Sequence, residues 1–222
     1  MRERRTGLVA LALWTGLLIL LTLFLHFAYA IWPWPDAPRG AGPLREAVVT
    51  ERARVEELAA ASSIGMISAV IEWTYRVGFE WTGMDYLMRS AMEKTPQDGT
   101  DEIGRRVASG AWTFLEPLYW SVQLIGLRLG VLFASLPLFL VAAIGGTADG
   151  AAAWYLRRVG VGRESGFIYH RAKLALWTAL FALWAVYLLP PVALDPLAII
   201  PPFVALCGLT VRIAASWFKK YI

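Results

Sequence analysis

The sequence predicts an all-α polytopic membrane protein, with four transmembrane helices and an extracytoplasmic helical segment between the first and the second. Three observations carry that prediction. Hydrophobic residues make up 58% of the 222-residue chain, too many for a soluble domain. They come in runs long enough to cross a ~30 Å hydrocarbon layer as helix. Several of the eleven tryptophans and eight tyrosines sit at the ends of those runs, where side chains with an apolar body and a polar tip meet the headgroups.

Charge and cysteine content narrow the function. The formal net charge of +4 is modest and unevenly spread, and loops on the cytoplasmic side of a membrane account for it. It gives no argument for direct, sequence-specific nucleic-acid binding. A single cysteine, Cys207, lies inside an apolar run, which excludes an intrachain disulfide or a multi-cysteine metal site.

Residues 1–31 hold the cytoplasmic start and the first span. The flank MRERR is basic, and Leu8 to Ile31 supplies mostly apolar residues for about 36 Å of helix at ~1.5 Å per residue. Ala28-Tyr29-Ala30 is shaped like a signal-cleavage site. The apolar run nevertheless exceeds the roughly 7–15 residues of a signal core and contains Trp14, so the segment is expected to stay as an anchor. His26, near its far end, is read as an interfacial residue rather than a ligand.

Residues 32–112 form the extracytoplasmic region. The stretch WPWPDAPRGAG cannot be helical, because prolines and glycines alternate in it, and it makes a rigid exit with Trp32 and Trp34 at the headgroup level. Leu44, Val48, Val55 and Leu58 then mark one face of an amphipathic helix, with Arg45, Glu51, Arg52, Glu56 and Glu57 assigned largely to the other. A second helical stretch runs from Ile64 to about Met92, with Ile64, Ile67, Ile71 and Tyr75 on one stripe. Its charges recur too often for a span. A turn at Thr95–Thr100 and a short helix from Asp101 toward Trp112 complete the region.

The second span is placed in 113–145, from about Pro117, which suits a helix start, to Gly145, with a kink at Pro137. Arg128 sits well inside it, where a charge costs about 2.5 kcal/mol or more. It is expected to face the bundle interior or a partner subunit, neutralised by Glu116 or by an acid of another chain. Residues 146–173 read as a basic cytoplasmic loop, and 174–222 as the third and fourth spans with a cytoplasmic tail. The third span runs from about Leu174 to Leu189 and stops at Pro190-Pro191. The connection ALDP has no Lys or Arg, as suits a non-cytoplasmic turn. The fourth, about Leu197 to Trp217, carries Pro201-Pro202 and Arg212, whose long side chain is expected to snorkel to the interface.

These spans agree with the charge rule. Both termini and the basic loop fall on the cytoplasmic side of the membrane, with Arg2, Arg4, Arg5, Lys219 and Lys220 in the flanks. The outward segment contains basic residues too. It is longer than ~60 residues, a length at which translocation ignores charge, and its acids outnumber its bases.

The loop also carries a family pattern. Asp149-Gly150, Arg157-Arg158, Gly162-Arg163-Glu164-Ser165, Phe167, Tyr169-His170 and Ala172-Lys173 together resemble a family of bacterial inner-membrane proteins encoded in integrating conjugative elements and related conjugative plasmids. The resemblance runs over most of the chain, and R-E-S-x-F-x-Y-H-x-A-K is its most specific string. It implies a setting, conjugative DNA transfer through a type IV secretion machine, and no particular reaction.

No catalytic, cofactor or metal site is expected. His26 and His170 fall on opposite sides of the membrane, G-R-E-S-G has the wrong spacing for a nucleophile turn, and Gly160-Val161-Gly162 is too short for a phosphate-binding loop. Ser165 suits the N-cap of the helical run that follows. Two readings of the polar cluster stay open: a snorkelling anchor band in membrane lipid, or a partner-docking face made of Arg157, Arg158, Arg163, Glu164, Tyr169, His170 and Lys173. The expected function is a non-enzymatic component acting by contact with other membrane proteins of the machine, the coupling ATPase being one candidate, and a homo-oligomer is compatible with it. The alternative is a small transporter or channel, with weak support from two intramembrane charges, Arg128 and Arg212, and no internal repeat.

Overall fold

The computed structural model describes the backbone of residues 2–33, 38–86, 101–160 and 166–218, and the side chains within these ranges from residue 13 onward except 101–109, 111 and 166. Among the described residues every regular element is helical. In chain order they are α1 (Arg2–Ile31), α2 (Gly42–Leu58), α3 (Ala61–Tyr75) with a π-helical turn (Arg76–Glu80), α4 (Asp101–Val159), α5 (Gly166–Leu188) and α6 (Pro196–Ser216). Four helical segments, Leu13–Ile31, Trp112–Val159, Phe167–Leu188 and Pro196–Ser216, are long and apolar enough to cross a membrane. The turn expected at Thr95–Thr100, and Arg163, Glu164 and Ser165, lie outside the described residues.

Two compact units share the chain: Met1–Val131 with Leu188–Leu194, and Leu132–Tyr187 with Asp195–Ile222. In the first unit α1 buries Leu18, Thr22, His26 and Ala30, four residues at i, i+4 spacing, while Leu17, Leu20, Leu21 and Phe24 stay exposed. A helix that exposes so many large apolar side chains is built for a lipid surround. The chain then turns back on α1: Gly40 adopts φ +66°, and its N–H donates to Ala30 O at 2.9 Å. This turn delivers α2 onto α1 and α4 through a cluster of Ala30, Leu44, Ala47, Val48 and Leu124, with Trp120 against it.

Helix α3 meets α4 at glycines. A Cβ added to Gly130 would sit 2.9 Å from Ile67 Cα, and one at Gly126 would reach 3.1 Å from Ile71 Cα and clash with the Thr74 hydroxyl. Gly126-x-x-x-Gly130 is therefore a groove into which α3 lays Ile67, Ile71 and Thr74, the small-residue contact familiar between membrane helices. The π-helical turn closes with Trp81 N–H on Arg76 O at 2.9 Å and turns Phe79 inward, stacked on Tyr75 with Tyr119 edge-on to both.

In the second unit the same device recurs. Gly146 and Gly150 on α4 face α6, where a Cβ on Gly150 would lie 2.5 Å from Arg212 O and one on Gly146 would press on Gly208 O. Asp195 caps α6 by accepting the Leu197 N–H at 2.9 Å, and Pro196 takes the first helical position, where its missing N–H is harmless. Pro201 and Pro202 lie inside the helix without ending it. Phe133, Leu136, Leu138, Leu140, Val141 and Ile144 of α4 all point outward.

Helix α4 differs most from the sequence expectation. It was expected as a short helix, a span starting at Pro117 and a basic loop from 146. It is one helix of 59 residues, about 88 Å at ~1.5 Å per residue and roughly three times the hydrocarbon thickness. Pro117 is a fully buried interior residue, and Gly145-Gly146 does not end the helix because Gly146 is a contact glycine. Leu129 to Ala148 is the stretch of α4 that fits lipid: twenty residues without a charge, about 30 Å long, bounded by Arg128 and Asp149.

Candidate functional site

Polar side chains gather at two places, one in each unit. The first is built around Arg128. Its side chain is completely buried, as is that of Glu51 on α2. The Nε of Arg128 donates to both carboxylate oxygens of Glu51, at 3.2 and 3.1 Å, and Nη2 donates to Oε1 at 2.5 Å. The guanidinium also serves the end of α5. Nη2 donates to Val192 O and Nη1 to Pro190 O, both at 2.6 Å, with Leu188 O further off at 3.4 Å.

A helix leaves its last carbonyls without intrahelical partners, and Pro190-Pro191 cannot supply amide donors to them, so a cation there answers a need of the backbone. Glu51 in turn accepts the Leu194 N–H at 2.8 Å, and Arg54 donates to Leu194 O at 3.3 Å. One buried ion pair thus fastens α2, α4 and residues 188–194 together.

Neither Glu116 nor another chain is needed to neutralise Arg128. The sequence did hold the signal for Glu51: Leu44, Val48, Glu51 and Val55 are spaced four, three and four, which puts the acid on the apolar stripe of α2 and not opposite it. His26, expected at the interface, is fully buried in the same unit. It lies beside the backbone of Leu188 and Leu189, and neither ring nitrogen makes a well-aligned hydrogen bond among the described residues.

The second place is where α4 and α6 end and α5 begins. Arg157 Nη1 donates to Ser216 O at 2.7 Å, and its guanidinium lies 3.8 Å from the centre of the Trp217 ring. Trp154 Nε1 donates to Phe218 O at 3.0 Å. Tyr169 packs edge-on against Phe218 and against His170, with ring centres 5.8 and 5.5 Å apart. Arg212 is ion-paired to Asp149, both about half exposed, so it has a partner on the neighbouring helix where snorkelling alone was expected.

The docking cluster read from sequence is therefore divided. Arg157 and Tyr169 are engaged in holding the end of α6. Arg158, stacked on Trp154 at 4.8 Å, is exposed, as are His170 and Lys173. Arg163 and Glu164 lie outside the described residues. Among the described residues no group of three His, Cys, Asp or Glu side chains is arranged to hold a metal ion.

A family model described as IncC plasmid conjugative DNA transfer protein DtrJ-like matches residues 34–219. The chain belongs to the DtrJ-like family. Membership implicates it in conjugative DNA transfer, the setting that the string from Arg163 to Lys173 implied. Both polar sites lie inside the matched range. No curated protein and no solved structure matches the chain.

Proposed function

We propose that this protein is a non-enzymatic inner-membrane component of a conjugative type IV secretion machine, of the kind integrating conjugative elements carry, acting by protein contacts. The observation that carries this reading is the DtrJ-like match over residues 34–219, joined to four helices long and apolar enough to span.

The two hydrogen-bonded sites support four spans with both termini in the cytoplasm. If all four candidates cross the membrane, the segments following the first and third spans share one side. Those are the segments that Glu51, Arg54 and Arg128 join. The segments following the second and fourth spans share the other side, and Arg157 and Trp154 join those to Ser216 and Phe218. The charge rule makes the second side cytoplasmic.

On that side Arg158, Arg163, Glu164 and His170 form the docking face, and the coupling ATPase that supplies DNA to the channel is the partner the setting favours. Arg157, Tyr169 and Arg212 maintain its shape. The test is purification of the tagged protein from donor-cell membranes in mild detergent, with co-purifying proteins identified by mass spectrometry. Enrichment of the coupling ATPase or another membrane protein of the machine is expected. A strain that needs the gene for transfer, yet yields no conjugation protein in the eluate, would contradict the reading.

A further inference from the structure

The end of the second unit that carries Arg157 and Tyr169 also contains an open groove of about 710 Å³ between α4, α5 and α6. That volume is in the range of sites for small ligands, about 300–1,000 Å³. Its walls are apolar, with Ala151, Leu176, Leu180 and Ala214 among them. Among the described residues Lys173 is the charged one that lines it, and the exposed Arg158 stacks on Trp154, which also lines it. Among the described residues no acid lines the groove, and the nearby Asp149 is held by Arg212.

We infer that this groove is a binding site for an anionic phospholipid, one acyl chain lying along α5 toward Leu180 and the headgroup phosphate meeting Lys173 and Arg158. Length favours this occupant. From Tyr169 to Leu180 the groove follows eleven residues of helix, about 16 Å, which is half of a ~30 Å hydrocarbon core and so one leaflet deep. A partner's transmembrane helix would need a groove of full depth. A second groove, about 640 Å³, does begin at Leu180 and continue past Leu183, Trp184 and Cys207, but among the described residues no charged one lines it. The charge distribution matches a headgroup at one end and hydrocarbon at the other. Trp154 and Tyr169 stand at the charged end, the level at which aromatic side chains with polar tips settle.

The site predicts a headgroup preference that a general lipid annulus would not show. The full chain is purified in mild detergent, and its retained phospholipid is extracted and quantified by headgroup class. Phosphatidylglycerol and cardiolipin together should exceed their share of the source membrane. Lys173→Gln, an exposed change that leaves the fold intact, should lower that preference about fivefold, the effect of one juxtamembrane cation on an anionic lipid. Ala214→Phe, which fills the groove, should lose the retained lipid, whereas Ala143→Phe, which fills the second groove, should keep it. Retained lipid that mirrors the membrane's composition, or that is unchanged by Lys173→Gln, would overturn the site. So would a stoichiometric membrane subunit that copurifies with the parent and is lost with Ala214→Phe.

Discussion

Replacing Arg128 by leucine removes the Glu51 ion pair and the donors to Pro190 and Val192 in one step. Breaking a fully buried pair by deleting one partner costs about 3–5 kcal/mol, because the remaining charge has lost its compensation. Each short bond from the guanidinium to a carbonyl adds roughly 1 kcal/mol. With two such bonds at 2.6 Å, Arg128→Leu should cost about 5–7 kcal/mol. Glu51→Leu should cost less, about 3–5 kcal/mol, since Arg128 keeps its carbonyl partners. The double variant should be no worse than Arg128→Leu alone, because no acid is then buried unpaired.

The assay is the apparent melting temperature of the purified protein in detergent. A loss of about 10–28 °C for Arg128→Leu follows from roughly 2–4 °C per kcal/mol in a chain of this size. Proteolytic nicking near residues 188–194 should rise with it. Charge reversal discriminates most sharply. Glu51→Arg with Arg128→Glu restores a generic ion pair but sets a carboxylate against the carbonyls of Pro190 and Val192, so it should not rescue stability. Full rescue by reversal, or single variants that melt within a few degrees of the parent, would refute the reasoning.

Neighbouring glycines should behave oppositely. A Cβ on Gly145 meets nothing within 4 Å, so Gly145→Ala should be neutral or raise the melting temperature through helix propensity, by up to about 1 kcal/mol. Gly146→Ala presses on Gly208 O and should cost about 1–3 kcal/mol, as overpacking does. Gly130→Ala should likewise loosen α3 from α4, read as faster proteolysis within α3 while α6 is unaffected. For topology, a cysteine at Ala193 should be labelled by a membrane-impermeant reagent in intact cells, and one at Gly160 only after permeabilisation. The native Cys207 is buried and supplies little background.

The four helices long and apolar enough to span, and helices α2 and α3, were legible because they depend on local quantities, run length and apolar periodicity. What the sequence concealed depends on contact. Pro117 and Gly145-Gly146 look like helix ends when read alone, and only burial at Pro117 and the approach of α6 to Gly146 keep α4 continuous. Glu51 was visible in principle as an acid on an apolar stripe. Its partner, seventy-seven residues away, was not. The cationic cluster around Arg157 shared a basic, aromatic composition, but composition does not say which members bond inward. Arg157 reaches Ser216 O, a backbone atom fifty-nine residues on that no side-chain pattern announces. The glycine pairs at 126/130 and 146/150 did carry a spacing signal that reading glycine as a helix end obscures.

The central claim, a membrane component that works by protein contact, is tested most directly by conjugative transfer frequency in a charge-preserving variant of the docking face. Arg158→Lys, Arg163→Lys and His170→Gln are combined in one chain. Positive charge at the interface and the ring packing of Tyr169 on Phe218 are kept, so insertion, abundance and melting temperature should match the parent. Planar guanidinium donors are lost, and lysine cannot reproduce their paired bonds to carboxylates. Transfer should fall by about tenfold or more, the effect of losing about 1–2 kcal/mol of interface contacts, with parallel loss of the copurifying partner. Lysine at Arg2, Arg4 and Arg5 should change neither quantity. Normal transfer by the combined variant, at parental abundance, would contradict the claim and leave the basic cluster as a membrane anchor alone.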